Sequence, residues 1–356
     1  MSVTDDVFDP MPEAPEAPTD DMCCGSGCDP CMWDTYNAAV QVYRQQLADW
    51  QVREAARQAA AGGSLNMASI DLHFHSTASD GGLPPAEVIR RAAAREASLL
   101  ALTDHDCTAG LAEARAEALA AGVDFLDGVE ISVTWNTRHT VHIVGLGIDP
   151  DNAALRAGLQ SIRDGRVERA RQMGESLARI GIPGVFDGAM RLAANPEMIG
   201  RTHFARYLVQ SGEVKDVKSV FRKYLTTGKP GYVAHEWATL EDAVGWIRGA
   251  GGMAVIAHPG RYDMGRTLIE RLVTDFKAAG GEALEVVSGS HSLDDMLRFA
   301  LVAQKHGLYA SAGSDFHAPG EGGRDVGSTT DLPPICLPIW QALAPRIHRA
   351  AANVEE

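Results

Sequence analysis

From Ser69 onward, short apolar runs alternate with alanine-rich stretches whose apolar residues recur at helical spacing. The apolar runs are bounded by glycine or polar residues, which is typical of buried β-strands. Strand followed by helix, repeated along a chain, predicts a parallel sheet or barrel with short crossovers. The predicted strands are ASIDLHFH, ASLLALTD, VDFLDGVEIS, HTVHIVGLGI, GMAVIAH, ALEVVSG and GLYASAGSDF, and the predicted helices include LPPAEVIRRAAARE, TAGLAEARAEALAA, TLEDAVGWIRGA, MGRTLIERLVTDFKAAG and LDDMLRFALVAQKH.

The alternation of strands and helices stops over residues 149–230. This segment predicts several helices instead, over about residues 153–179, 202–209 and 214–225. We interpret the segment as a helical insertion over one end of the barrel.

The N-terminal part has a different composition. Residues 1–21 are rich in proline, aspartate and glutamate, which predicts a disordered acidic tail. Residues 22–66 combine a cysteine-rich stretch with a helical run and end in a Gly-Gly-Ser linker, and residues 67–356 form the large domain. Met67 stands at the start of that domain, so we interpret residues 1–66 as a separate small protein fused to it or as an over-long gene start.

The overall composition is that of a globular protein. Of 356 residues, 45% are apolar and 22% are charged. No run approaches the roughly 18 apolar residues of a transmembrane helix. The acidic N-terminus is the opposite of a secretory signal, so we expect a cytoplasmic protein without membrane contacts.

The net charge of −15 narrows the choice of partners. Residues 1–66 hold 11 acidic residues against three arginines, and the rest of the chain has no broad basic surface. Binding of duplex DNA is therefore not expected. A nucleotide or a short single-stranded RNA held locally by metal ions fits this charge, and no feature of the sequence indicates a protein partner.

Histidines and carboxylates occur at or just past the ends of the predicted strands. Since strand residues alternate between faces, His73 and His75 point the same way, and strand C-termini form the functional face of parallel α/β folds. A single residue of this kind is usually structural, but a cluster needs a cation to offset repulsion and desolvation. Imidazole and carboxylate ligands without cysteine suit Zn, Mn or Fe(II). The cluster comprises His73, His75, Asp80, Asp104, His105, Asp106, Glu130, His142, His258, Glu285, Asp315 and His317.

The motifs that carry these residues resemble those of the PHP (polymerase and histidinol phosphatase) family of metal-dependent phosphoesterases. The motifs are HFHSTASDG, LTDHD, GVEIS, HIVGLG, AHPGR and GSDFH. The resemblance covers about residues 69–331 and implies an α/β fold, a distorted (β/α)7 barrel with the helical insertion. It also implies two or three divalent metal ions, with manganese favoured over zinc or iron.

The resemblance implies three sets of metal ligands. They are a first set of His73, His75, Glu130 and Asp315, a second of Glu130, His142 and His258, and a third of Asp80, His105 and His317. We assign the catalytic roles to Asp104, His105 and His317. We expect Asp104 and Asp106 to orient imidazoles, with capping of the following helix as the alternative for Asp106.

The substrate is indicated by a resemblance within the family. The long insertion, GRTHFARYLV and KPGYVAHEW are similar to the branch that hydrolyses 3′,5′-bisphosphonucleotides and trims short RNA from the 5′ end. Arg201, His203 and Arg261 are candidates to hold the phosphate that is not cleaved, since arginine binds phosphate with a two-pronged fork. A solvated charge at a helix start is the alternative for Arg201. The alternative functions are a histidinol-phosphate-type phosphatase and a non-catalytic, metal-stabilised scaffold.

The stretch CCGSGCDPCMWDTY resembles the oxidoreductase-like N-terminal domain family over about residues 21–50. Its four clustered thiols are enough for a zinc or iron–sulfur site. Two of them are adjacent, which strains a tetrahedral site, and redox-labile thiols in a flexible tail are the alternative. The four are Cys23, Cys24, Cys28 and Cys31.

Overall fold

The computed structural model describes residues 69–137, 139–235 and 237–351 and a few earlier positions, namely Pro15, Thr35, Tyr36, Ala38, Ala39, Val42, Tyr43 and Gln46. The chain divides into two compact units, Met1–Asn66 and Met67–Glu356. All elements below belong to the second unit. The predicted acidic tail and the four clustered cysteines lie outside the described residues.

Seven strands form one sheet in which each strand pairs with its neighbours in the chain. The ends of the sheet also meet, because the amide of Asp315 donates to the carbonyl of His73 (2.8 Å) and the amide of His75 to that of Phe316 (2.9 Å). The predicted barrel is confirmed. The strands are β1 (Ile70–Phe74), β2 (Leu99–Leu102), β3 (Asp124–Trp135), β4 (His139–Leu146), β5 (Met253–Ile256), β6 (Ala283–Ser288) and β7 (Tyr309–Gly313).

The sequence predicts a parallel sheet or barrel, but the sheet is only partly parallel. β4 runs antiparallel to both β3 and β5, while the other neighbouring pairs are parallel. His142 therefore lies in the first half of its strand, and reversal of the strand brings it to the end of the barrel where the other strands finish. Glu130 lies inside β3, which continues to Trp135 as the long hairpin partner of β4.

Helices cover the outside of the sheet and pack on it through buried apolar faces. None of the described helices has the length and apolarity needed to span a bilayer. The described helices of this unit, including those of the insertion, are α1 (Pro85–Ala93), α2 (Leu111–Ala120), α3 (Ala153–Asp164), α4 (Arg166–Arg179), α5 (Val185–Leu192), α6 (Arg201–Gln210), α7 (Val217–Val220), α8 (Leu240–Gly249), α9 (Arg266–Ala278), α10 (Leu293–His306) and α11 (Ile339–Ala342).

A second apolar cluster, which includes Leu72, Leu126 and Val144, forms on the opposite face of the strands. It packs with Ile339 and Leu343 from the C-terminal helical turns. Because strand side chains alternate, Glu130 shares the face of Leu126, and His142 shares the face of Val144. The sheet therefore presents apolar residues near one end of this face and polar ligands near the other.

The insertion between β4 and β5 has its own apolar cluster. The single helix predicted over residues 153–179 is wrong, because Gly165 separates α3 from α4. A Cβ at Gly165 would lie 2.6 Å from Cε1 of His235, so close packing requires glycine there. The structure also contains α5, which the sequence did not predict, and a short α7 followed by one π-helical turn, Phe221–Leu225, where one helix was expected.

Candidate metal and phosphate site

One end of the barrel gathers all nine side chains predicted as metal ligands. Their nitrogen and oxygen atoms form four overlapping groups, and within each group the atoms lie within 4.8 Å of one another. These groups contain His75, Asp80, His105 and His317; His73, His75 and Glu130; His73, His258 and Asp315; and His105, Glu130 and His142.

The first predicted set is compact. Nε2 of His73 lies 3.3 Å from Oε1 of Glu130 and 3.7 Å from Oδ1 of Asp315. Nε2 of His75 lies 3.4 Å from Oε2 of Glu130 and 3.4 Å from Oδ1 of Asp315. Two imidazoles and two carboxylates from three separate strand regions thus face one small volume.

The second predicted set meets at one carboxylate oxygen. Nδ1 of His142 lies 2.9 Å, and Nε2 of His258 3.1 Å, from Oε1 of Glu130. His105 approaches the other oxygen of Glu130, Oε2, at 2.7 Å. Glu130 therefore stands at the centre of the cluster, as expected of a ligand that two metals share.

The third predicted set is looser. Oδ1 of Asp80 lies 3.5 Å from Nε2 of His317 and 3.9 Å from Nε2 of His105. The ring of His75 packs between them, with its centroid 4.1 Å from that of His317 and 4.5 Å from that of His105. His75 is therefore close to this set as well, which the sequence did not indicate.

Several buried atoms of the cluster have no hydrogen-bond partner among the described residues. They are Nε2 of His73, both ring nitrogens of His75, Oδ1 of Asp80, Nδ1 of His258 and Oδ1 of Asp315. Buried polar groups are normally paired, since leaving them unpaired costs free energy. Coordination to divalent cations would satisfy them, so the residues present fit the metals that the family resemblance implies.

At three of the ligands the electrostatics favour the protonation state that binds a cation. Burial and the nearby imidazoles of His317 and His105 lower the pKa of His75 to about 3. Burial lowers the pKa of His142 to about 4, against the opposing effect of Glu130. Burial alone would raise the carboxyl pKa of Glu130, but the surrounding imidazoles hold it well below its usual value. Neutral imidazoles beside ionised carboxylates are the forms that bind cations. At two other ligands burial opposes protonation but nearby carboxylates outweigh it, raising the pKa of His73 well above its usual value and that of His105 to about 9, so a bound cation would displace protons there.

The backbone is strained at three points in the site. Asp106, His258 and Asp315 have φ values of +43°, +25° and +52°. A residue other than glycine in such a conformation costs on the order of 1–3 kcal/mol, and such residues concentrate at functional sites. Two of the three are predicted ligands, and the third follows His105.

Glu285 orients one of the predicted ligands, a role that the sequence did not assign to it. Its carboxylate oxygens lie 3.2 and 3.3 Å from Nδ1 of His73 and accept a hydrogen bond from the amide of His258. A carboxylate on one ring nitrogen fixes the imidazole so that the other nitrogen faces the metal. The sequence places Glu285 on a predicted strand beside those that carry ligands, and this position was the only indication of an orienting role.

Asp104 and Asp106 form hydrogen bonds with partners other than the imidazoles that the sequence analysis predicts. Asp104 accepts hydrogen bonds from the amide and hydroxyl of Ser76 and the hydroxyl of Ser79, so it fixes the turn after β1 rather than an imidazole. Asp106 accepts from the amide and hydroxyl of Ser132 and pairs with Arg166. Neither orients an imidazole directly among the described contacts, and the helix cap lies at Gly110 instead. The catalytic roles of Asp104, His105 and His317 stay predictions.

Two of the three predicted phosphate-binding residues line a cavity of about 120 Å³ beside the cluster. They are Arg201, at the start of α6, and Arg261, which also pairs with the carboxylate of Asp315. His203 does not line it. Its Nδ1 accepts a hydrogen bond from the amide of Gly200 (3.1 Å), and burial lowers its pKa to about 4. His203 is therefore a neutral residue that completes the start of α6.

The sequence missed two further arginines in the same cavity. Arg166 and Arg169, both on α4, are only 7% and 8% exposed. Their guanidinium carbons lie 4.8 and 5.3 Å from the ring centre of Trp237. Burial and the nearby charges of Arg201 and Arg166 lower the pKa of Arg169 to about 10. Their three-residue spacing places both on one helix face, which was the only signal in the sequence.

Comparison with known protein families shows to which family this chain belongs. A family model described as "PHP domain" matches residues 71–288. The chain belongs to the PHP family. The resemblance stated from the sequence motifs is thereby confirmed. A second model, described as "Oxidoreductase-like protein, N-terminal", matches residues 9–52 and confirms the other resemblance.

Curated relatives extend over most of this PHP-family chain. A 3′,5′-nucleoside bisphosphate phosphatase from Chromobacterium violaceum is 74% identical over 285 residues, which are 80% of this chain and all of the relative. A 5′-3′ exoribonuclease from Haemophilus influenzae is 42% identical over 271 residues, 76% of this chain and 97% of the relative.

A solved structure is also similar to most of this chain. A protein from Chromobacterium violaceum, described as an amidohydrolase with bound sulfate, is 73% identical to this chain. It superposes with a TM-score of 0.78, covering 80% of this chain and 99% of its own.

Proposed function

We propose that this protein is a metal-dependent phosphoesterase that hydrolyses phosphate esters of nucleotides carrying two phosphate groups. The predicted enzyme class, a hydrolase of phosphoric ester bonds, is confirmed by the family and by relatives named as a phosphatase and an exoribonuclease. From the names of these relatives we infer two kinds of substrate for this protein: 3′,5′-bisphosphonucleotides and the 5′ ends of short single-stranded RNA.

The proposed metal ligands are the three sets implied by the family motifs. His73, His75, Glu130 and Asp315 would hold one ion, Glu130, His142 and His258 a second, and Asp80, His105 and His317 a third. We infer that manganese is favoured over zinc or iron. Bound divalent cations would offset the negative charge of a phosphoryl group and acidify the water that attacks phosphorus.

The observation that carries the proposal is a second positive centre next to this cluster. Arg166, Arg169 and Arg201 line the cavity that the ligand cluster also borders. Within the described residues, Arg169 and Arg201 lie in no ion pair with a carboxylate, and Arg169 donates from Nε to the carbonyl of Val233 (3.0 Å). Arg169 is buried and Arg201 is half-buried. Removing a cation from water without a carboxylate is costly, so an anion of the substrate would stabilise them.

Two separate positive centres suit a substrate with two phosphates. One phosphate would lie at the metal cluster, where its ester is cleaved. The arginines, together with Arg261, would hold the other phosphate through charge-assisted hydrogen bonds. A substrate with one phosphate would fill only the first centre, so the arginines would select for the bisphosphate.

The test is a substrate panel on metal-stripped protein reconstituted with Mn²⁺. We expect phosphate release from adenosine 3′,5′-bisphosphate and little from histidinol phosphate. His73→Ala should abolish it, because this variant removes a ligand of the first set. His306→Ala is the matched control, since His306 lies on α10 and pairs with Glu270 (2.7 Å).

Other outcomes would point elsewhere. Preference for histidinol phosphate would favour the small-molecule phosphatase. Metal-dependent thermal stability without cleavage of any phosphoester would favour the non-catalytic scaffold. Full activity in His73→Ala would contradict the proposed ligand sets. The predicted site at Cys23, Cys24, Cys28 and Cys31 stays a separate proposal, tested by the zinc and iron content of Cys→Ser variants.

A further inference from the structure

The insertion helix α6 contacts the turn after β1 that carries Asp80. The hydroxyl of Thr202 donates to Oδ2 of Asp80 (2.8 Å). One helical turn later, Nη1 of Arg206 donates to the main-chain carbonyl of Asp80 (2.6 Å). Just before the helix, Nδ2 of Asn195 donates to the carbonyl of Ala78 (3.2 Å). Three insertion side chains thus hold one barrel turn.

The two carboxylate oxygens of Asp80 have different surroundings. Oδ2 accepts the hydrogen bond from Thr202, whereas Oδ1 is buried and has no hydrogen-bond partner among the described residues. Oδ1 faces the imidazoles of His317 (3.5 Å) and His105 (3.9 Å). Because the carboxylate is planar and rigid, holding Oδ2 determines where Oδ1 points.

The same helix is tied to the segment that follows His317. Nε and Nη2 of Arg206 donate to both carboxylate oxygens of Glu321, at 3.0 and 2.8 Å. The amide of Gly82 also donates to the carbonyl of His317 (2.6 Å). Arg206 therefore links the two segments that supply Asp80 and His317, and paired charge-assisted bonds of this kind fix geometry as well as adding energy.

We propose that Thr202 is a positioning residue that fixes Asp80 as a metal ligand, so that the insertion completes the third metal site. The inference rests on the proposed metal binding, but it concerns one site and one hydrogen bond. The first and second ligand sets contain neither Asp80 nor any residue that α6 contacts through Thr202. Loss of the Thr202 hydroxyl should therefore weaken one metal and spare the others.

The test compares Thr202→Val with Thr202→Ser and with Thr274→Val. Valine keeps the shape of threonine without the hydroxyl, and serine restores the hydroxyl. Thr274 lies exposed on α9, and its hydroxyl donates within that helix to the carbonyl of Glu270 (2.8 Å). Bound manganese is measured by mass spectrometry at graded free Mn²⁺, and the melting temperature of each metal-free variant is recorded alongside.

In Thr202→Val we expect one manganese equivalent to bind about 10- to 100-fold more weakly, the usual cost of losing a residue that orients a ligand. Thr202→Ser and Thr274→Val should bind like the wild type. The inference is overturned if Thr202→Val keeps every equivalent at wild-type affinity, or if all equivalents weaken together with a lower metal-free melting temperature. A wild-type protein that binds no divalent metal would instead overturn the proposed function.

Discussion

Replacing Arg169 by methionine tests how the protein distinguishes two phosphates from one. The side chain is 8% exposed, and its Nε is already engaged by the carbonyl of Val233, so the two terminal nitrogens remain for an anion. A hydrogen bond to a charged group contributes about 1.5–3 kcal/mol. At about 1.36 kcal/mol per factor of ten, one such bond corresponds to roughly a 10- to 150-fold effect.

We therefore expect Arg169→Met to lower kcat/KM for adenosine 3′,5′-bisphosphate by about 10- to 150-fold. For p-nitrophenyl phosphate, which has one phosphate, we expect a change of less than about threefold, within what loss of nearby packing causes. Steady-state phosphate release with both substrates measures this difference.

Arg171→Met is the matched control. Arg171 lies on the same helix, is half exposed and contacts Glu168 (3.5 Å), so both rates should stay at the wild-type level. An equal fall for both substrates in Arg169→Met would refute the reasoning, because a residue that only supports the fold does not distinguish them.

Three further outcomes are expected. Glu285→Gln removes the charge beside Nδ1 of His73 (3.2 Å) and should weaken manganese binding about 10- to 100-fold, measured by calorimetry; unchanged affinity would contradict its orienting role. Gly313→Ala would place a Cβ 2.2 Å from Cβ of His73, so we expect a lower melting temperature and less bound metal, and a variant equal to wild type would show that the barrel accommodates the methyl group. Mn²⁺ at about 100 times its dissociation constant should stabilise the fold by about 2.7 kcal/mol per site, seen as a higher melting temperature in calorimetry; no shift would count against binding to the folded state.

The sequence was sufficient to predict the metal-ligand cluster because strand geometry dictates it. Side chains alternate along a strand, and parallel strands end on one side of a barrel, so polar residues at strand ends must meet. His73, Glu130 and Asp315 are far apart in the chain. In the structure, Nε2 of His73 lies 3.3 Å from a carboxylate oxygen of Glu130 and 3.7 Å from one of Asp315.

Strand direction and helix packing could not be predicted in the same way. β4 is an apolar run like the other six strands, and only its antiparallel pairing with β3 and β5 reveals that it runs in the opposite direction. Arg166 and Arg169 have the sequence pattern of solvated helix charges. Their burial depends on the break at Gly165 and on packing against Trp237, which is a matter of tertiary structure.

We propose metal-dependent cleavage of a nucleotide phosphoester at the His73–Glu130–Asp315 cluster. The most direct measurement is phosphate release from adenosine 3′,5′-bisphosphate by metal-stripped protein titrated with Mn²⁺. We predict that release is absent without metal and rises to a plateau as two or three equivalents bind. Release that is already complete in stripped protein, or absent at every Mn²⁺ concentration, would contradict metal-dependent cleavage at this cluster.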